Sequence, residues 1–451
     1  MTSFIAKPRE LFDRFDPKYV AFKRRAANFR YPAVKMGSLL SESPEYGAGE
    51  AGIERVDEAT PRYIRITDID ENGELLPGLG MTAANVEPQY FLRDGDLLFA
   101  RSGNTVGKSY LYESERVPYP CFYAGYMIRF RFGEKVLPKY VFAFAQTPYY
   151  HEWVSAIQRS AGQPNINAQE YRSLEIPLPP LSEQRKIVAE LDAAYAAKRA
   201  ADEKATKLLA SIDNMVLNEL GIAKLPKPDT SLSSRIFTVP AKEVANTTLA
   251  PDHYFDSIDF SKAKYPCERF VERIDIDPPC GLEQITKLVP MESVSAEWCA
   301  IESIEDISPD ATQGYSTFRG GDVIWARITP CMENGKSAVV EAEPSECFCG
   351  STEFLVFRPK DDKVNPYYLQ SLLHLKRFRE VAAHHFTGTS GHQRVTADFF
   401  KSISIPIPPR SVQDRIASTA SSIRAEARKL KADAPAALEA AKQTIEEKIM
   451  K

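Results

Sequence analysis

The 451-residue chain has no run of 18 or more apolar residues, so no membrane-spanning helix is expected. Its first ten residues, Met1 to Glu10, lack the apolar stretch of a secretory signal, and a cytoplasmic location is expected. The seven cysteines are odd in number and show no Cys-x-x-Cys spacing, which speaks against a disulfide scaffold and for reduced thiols. No large charge of one sign is present either, since 57 basic against 61 acidic side chains leave a formal net charge of −4. A strongly basic protein is excluded, but a local basic face is not. Residues 1–35 form such a stretch, with nine Lys or Arg against three Asp or Glu. What is present, 43% hydrophobic and 26% charged residues, is ordinary for a folded chain long enough for several domains.

Catalytic signatures are missing as well. Gly47-Ala48-Gly49-Glu50-Ala51-Gly52 fits Gly-x-Gly-x-x-Gly, but the residues before it, Ser41 to Tyr46, are loop-like where a dinucleotide site needs a strand. Gly103 to Ser109 is one residue short of a phosphate loop, and its counterpart ending in Gly335-Lys336-Ser337 lacks the first glycine. Asp277-Pro278-Pro279-Cys280 echoes an amino-methyltransferase motif, yet Cys280 stands where an aromatic ring must stack the flipped base. No Phe-x-Gly-x-Gly for a methyl donor occurs. Cys347, Cys349, His384 and His385 have the wrong spacing for structural zinc and read as packed small residues. A chain without its own catalysis, metal or cofactor is expected.

What the chain does contain is a long internal repeat. Gly95-Asp96-Leu97-Leu98-Phe99-Ala100-Arg101 recurs as Gly321-Asp322-Val323-Ile324-Trp325-Ala326-Arg327. Gly107-Lys108-Ser109 recurs as Gly335-Lys336-Ser337, and Ile176-Pro177-Leu178-Pro179-Pro180 as Ile405-Pro406-Ile407-Pro408-Pro409. Three markers in one order, at offsets of about 226 to 229, indicate a duplicated domain rather than a solenoid.

Each copy opens with a mixed α+β pattern. Tyr63 to Thr67 alternates like a half-buried strand and ends at the Glu71-Asn72-Gly73 turn. Asp96 to Phe99 and Tyr126 to Phe132 also read as strands, and Pro138 to Gln146 and Pro366 to His374 as short helices opened by proline. A long helix follows each copy. Ser182 is a candidate cap for the first, Gly221 its natural stop, and Ser411 to Asp414 resembles a capping box for the second. Apolar residues at helical steps, among them Ile187, Leu191, Leu208 and Ile212 in the first and Ile416, Ile423, Leu430 and Ile445 in the second, mark two seams. A helix of ~60 Å cannot bury such a stripe within its own domain. The expectation is an antiparallel coiled-coil pair, against the plainer reading that each helix packs on its own domain. Pro435 should kink or restart the second helix.

Both copies carry donor-rich loops. The first has Arg101, Asn104, Thr105 and Lys108 after a strand, and Arg159, Gln163, Asn165 and Asn167 before the exit strand. The second has Arg327, Asn334 and Lys336, then Thr389, His392, Gln393 and Arg394. Arg and Lys suit phosphate or guanine, and Asn and Gln suit adenine, so these loops are candidate contacts to duplex DNA. Lys108 and Lys336 recur at equivalent places, which suggests a job independent of base sequence, namely phosphate contact. Gln163-Pro164-Asn165 and His392-Gln393-Arg394 differ, as base readers should.

With these phrases, and above all Ile176-Pro177-Leu178-Pro179-Pro180-Leu181-Ser182-Glu183-Gln184-Arg185, the chain resembles the specificity subunits of type I restriction–modification systems. The resemblance implies target-recognition domains at 1–180 and 230–410 and long helices at 181–222 and 411–451. It implies a non-catalytic reader of a bipartite, asymmetric site in double-stranded DNA. The implied partners are two modification (methyltransferase) subunits and, where the system has one, a restriction (translocase/endonuclease) subunit. S-adenosylmethionine, ATP and Mg would reside on those partners. The alternative is a self-contained DNA methyltransferase or nuclease with its own recognition domain.

Overall fold

A computed structural model of the chain describes residues 17–25, 28–158, 164–227, 229, 231, 233–234, 236–244, 254, 256–280, 285–389 and 391–450. Residues 1–16 of the basic stretch, together with Arg159 and Gln163, lie outside the described residues. The chain divides into two compact units, residues 1–200 with 433–451, and residues 201–432. The divisions fall inside the two long helices, Leu181–Glu219 and Arg410–Ile449, so each unit takes a half of each helix.

The two units repeat one α+β plan. In the first unit, Glu45–Tyr46, Met127–Phe130, Leu97–Ala100 and Ser109–Leu111 lie side by side in one four-stranded sheet. Gly52–Glu54, Met81–Ala83, Arg62–Ile64 and Cys121–Tyr123 form another. In the second unit the corresponding sheets are Ile274–Ile276, Phe354–Pro359, Val323–Ala326, Ser337–Val339, and Glu305–Asp306, Lys287–Val289, Cys347–Gly350, Ser316–Arg319. The Tyr63 strand is shorter and more buried than its alternation suggests. Only Arg62–Ile64 is extended, and all of it is buried, because strands flank it on both sides and Ile66–Asp68 turns away as a 3₁₀ segment.

The repeated Gly-Asp phrase has a structural cause. Gly95 and Gly321 sit at φ +83° and +85°, where a side chain would strain the turn. The next residue is a buried carboxylate in each copy. Asp96 accepts from the Arg93 N–H and two bonds from Arg131, at 2.6 and 3.0 Å. Asp322 accepts from the Arg319 N–H and from Arg358 at 2.7 Å twice. These hydrogen bonds raise the pKa of both arginines. A buried carboxylate is tolerated because a planar guanidinium fork meets both its oxygens.

The long helices begin one residue before the expected caps, leaving Ser182 and Ser411 inside the first turn. Their first amides are met instead by proline carbonyls, Pro180 for Glu183 and Gln184, and Pro409 for Val412 and Gln413. The glutamine of each first turn is fully buried. Gln184 accepts from the Leu137 N–H at 2.9 Å and donates to the Pro179 carbonyl at 2.9 Å. Gln413 accepts from Asn365 N–H at 2.8 Å and donates to Pro408 and Lys363 carbonyls at 2.8 and 2.6 Å. Gly221 ends the first helix at φ +74°, with Ile222 N–H on the Leu217 carbonyl at 2.8 Å. The second helix passes through Pro435 without the restart that proline suggested.

Within each unit the helix halves pair antiparallel. In the first, Ile187 and Leu191 share a core with Leu438, Ile445 and Ile449, and Lys448 pairs with Glu190. In the second, Ile212 and Val216 share a core with Ile416 and Ala420, Lys204 meets Glu426 at 2.8 Å and Arg415 meets Glu219 at 2.6 Å. Numbers rise on one helix as they fall on the other. The same stripes also pack on the sheets and short helices of their own unit, so both packing readings hold together. Leu208, Ile423 and Leu430 are only half-buried. One cysteine expectation is corrected. Cys280 and Cys347, 67 positions apart, form a disulfide where the loop after Ile274–Ile276 meets the start of the Cys347 strand. Linear spacing carried no sign of that meeting.

Replacing Gln184 or Gln413 by alanine leaves a buried N–H and two carbonyls without partners. Each substitution is expected to cost about 1–3 kcal/mol, read as a lower denaturant midpoint. A loss below about 0.5 kcal/mol at both positions would contradict this account.

Candidate nucleic-acid interface

In the first unit the Leu97–Ala100 strand runs into the loop 101–108 and returns as Ser109–Leu111. Gly107 turns the loop at φ +89°, and a side chain there would strike Val154. The segment before the exit strand pairs with this loop through its backbone. Ile166 N–H donates to the Arg101 carbonyl at 2.8 Å, and Gly103 N–H to the Pro164 carbonyl at 3.1 Å. In the second unit Val395 N–H donates to the Arg327 carbonyl at 2.9 Å, and Thr329 N–H to the Gln393 carbonyl at 3.0 Å. Bridges between Ser102 and Asn165, and between Ile328 and Arg394, complete the match. Asn165 and Arg394 are therefore structural equivalents, as are Pro164 and Gln393. The structure brings together, in each copy, the two candidate loops that the sequence keeps some 65 residues apart.

A third strand end joins each cluster. Arg101 N–H donates to the Tyr126 carbonyl, and Arg327 N–H to the Glu353 carbonyl, both at 2.9 Å. Tyr126, Tyr46 and Glu353 are not among the site residues the sequence suggested, since no repeated phrase surrounds them. The Arg101 guanidinium lies 4.8 Å from the Tyr46 ring centre, and its Nε is buried without a hydrogen-bond partner. In the second unit Glu353 binds Arg394 through both oxygens, with contacts of 2.6 to 3.0 Å, and stands 3.6 Å from Arg327 Nε. The Arg394 hydrogen bonds, with Arg327 adding its charge, hold the Glu353 carboxyl below the usual carboxylate range. Asn104, Asn165, Asn334, Thr389 and His392 are exposed, and Thr105 and Gln393 half-buried. Thr389 and His392 cap the hairpin of Phe386–Thr387 and Arg394–Val395.

Three further candidates have internal partners. Lys108 Nζ donates to the Ile69 carbonyl at 3.0 Å and pairs with Glu71 at 2.9 Å, and its side chain is 13% exposed. Lys336 Nζ donates to the Met291 carbonyl at 2.7 Å. Both ammoniums brace the loop against the 3₁₀ segment of the neighbouring sheet, a structural role that the two copies share. Asn167 caps the helix Ala168–Arg172, exchanging hydrogen bonds with Glu170. Among the described residues no group of three or more His, Cys, Asp or Glu could hold a metal ion, and His384 instead meets Asp256 at 2.9 Å.

Lys108→Ala is expected to lower the unfolding midpoint of the chain. It should leave the slope of log affinity against log salt on duplex DNA unchanged. A slope smaller by about one unit would restore Lys108 as a phosphate contact.

His374 supports the Gly335 turn, with Nδ1 3.2 Å from the Gly335 carbonyl and 3.4 Å from Cys299 Sγ. Burial, with Arg379 and Arg424 nearby, pushes its pKa down to about 3. The unfolded chain takes up this proton near pH 6.5 and the folded chain does not. Stability should thus fall as pH drops below about 6.5, by up to about 1.4 kcal/mol per unit. His374→Gln should flatten the curve between pH 6.5 and 4.5, measured by urea titration.

The family profile described as type I restriction modification DNA specificity domain matches residues 80–207 and 292–440. The chain is 34% identical to the type I restriction enzyme EcoAI specificity subunit of Escherichia coli over 135 residues, 30% of this chain and 23% of that one. It is 25% identical to the EcoKI specificity subunit of Escherichia coli strain K12 over 225 residues, 48% of this chain and 45% of that protein. The match thus spans less than half the length of either relative. A chain solved in work on complex assembly and conformational transition of the type I R-M system shares the fold, with a TM-score of 0.52 at 18% identity, covering 94% of this chain and 97% of that one.

Proposed function

Because the chain belongs to the type I restriction modification DNA specificity family, we propose that it is the DNA-reading subunit of a restriction–modification complex, each unit reading one half of a bipartite site. One observation carries this reading. The same backbone frame appears twice, and the side chains it presents differ, Ser102, Asn165 and Tyr126 in one copy against Ile328, Arg394 and Glu353 in the other. A shared frame with divergent donors suits two half-sites of different sequence.

In this reading the chain catalyses nothing. Two modification subunits would bring S-adenosylmethionine and methylate adenine, and a restriction subunit, where present, would bring ATP and Mg. The paired helices would set the gap between half-sites.

The test is methylation mapping in cells that express the chain with its modification subunits. Replacing residues 230–410 by the counterpart from a relative should change one half-site and leave the other. Simultaneous change of both halves would sink independent reading. Tight S-adenosylmethionine binding by the isolated chain would instead favour a self-contained methyltransferase.

A further inference from the structure

The two units differ most sharply at one backbone position. The residue whose carbonyl receives the strand-end arginine is Tyr126 in the first unit and Glu353 in the second. Tyr126 is 65% exposed, the most exposed large aromatic side chain among the described residues. Its neighbour Arg101 forms no ion pair among the described residues and rests against Tyr46, while the Nε atoms of Arg101 and of its counterpart Arg327 are both buried without a hydrogen-bond partner. Glu353 does the opposite. Both its oxygens accept from Arg394, occupying Nε and Nη2, the edge a guanidinium would turn toward a guanine. It also faces Arg327. Arg394 Nη1 donates to the His392 carbonyl at 2.8 Å, so this arginine is held by its own unit at three nitrogens.

We infer that position 126/353 determines specificity in each half-site by setting whether the cluster's arginine is free to bind a base. In the first unit Tyr126 leaves Arg101 unpaired. A cation without an ionic partner, resting on the Tyr46 ring, suits the N7 and O6 acceptors of guanine. In the second unit Glu353 withholds Arg394 from guanine. What remains exposed there, His392 and Thr389 with half-buried Gln393, favours a different base. The inference rests on the DNA-reading role proposed above.

The test uses the full chain in its complex with the modification subunits, with genome-wide methylation as readout. Tyr126→Glu places a carboxylate beside Arg101, and the exposure of Tyr126 keeps the core untouched. Methylation at the original motif should fall by about 5- to 150-fold, the range for one bidentate base contact, through one half-site only. Glu353→Gln removes the charge that holds Arg394 while keeping the shape of the side chain. One base position of the other half-site should relax toward guanine. Thermal unfolding of both variants separates misfolding from altered reading, since a fold defect lowers the unfolding midpoint and altered reading does not. If both variants fold and methylate the original motif as the parent does, the inference is overturned. If the parent complex methylates no defined motif, the DNA-reading role itself fails, whatever the variants do.

Discussion

Two short backbone pairings, Ile166 to Arg101 with Gly103 to Pro164, and Val395 to Arg327 with Thr329 to Gln393, hold each candidate interface together. Loops rich in glycine, asparagine and threonine have many amides and little apolar surface to bury. Without partners those amides would remain tied to water and the loops would wander. Pairing one loop with the other satisfies main-chain groups only. Side chains at the paired positions are left free, so Ser102 and Asn165 in one copy can be Ile328 and Arg394 in the other.

The same separation runs through both units. Phrases that repeat between the copies turn out to have internal structural work. Asp96 and Asp322 fix an arginine on the central sheet, Lys108 and Lys336 brace the loop, and Gln184 and Gln413 tie each long helix to its domain. Around the loop pair the copies differ at exposed and half-buried positions, Asn165 and Tyr126 among the exposed ones and Ser102, Ile328, Glu353 and Arg394 among the half-buried. A duplicated chain carries its own control. What both copies need for folding stays alike, and what each presents to a partner diverges. Likeness between copies at Lys108 and Lys336 suggested shared contact with DNA, and the structure shows a second cause for it, since both ammoniums donate to a backbone carbonyl of their own unit.

Much of the fold was legible in the sequence because it depends on local signals. Proline at 138 and 366 opened helices, Gly221 closed one, and apolar steps marked the seam. Their physics acts within four or five residues. The candidate loops were legible as well, from donor-rich composition beside a repeated strand. Less legible were the Tyr63 strand, fully buried and paired along both edges with strands that come later in the sequence, and the proline carbonyls that took over the role assigned to Ser182 and Ser411. Pro435 sits inside an unbroken helix for a similar reason, since one missing amide bond weighs little against the packing of Leu438, Ile445 and Ile449.

The sequence by itself determined that this is a duplicated α+β chain, with paired helices and two sets of polar loops. Duplication, periodicity and composition are linear properties, readable without coordinates. Only the tertiary structure decided which donors are free. Whether Lys108 reaches solvent, whether Arg394 is held by Glu353, and that Tyr126 stands beside Arg101 all depend on strands far apart in the chain ending side by side. A side chain's availability is set by its nearest charged neighbour in space, and in this protein that neighbour lies 41 positions from Arg394 and 37 from Lys108.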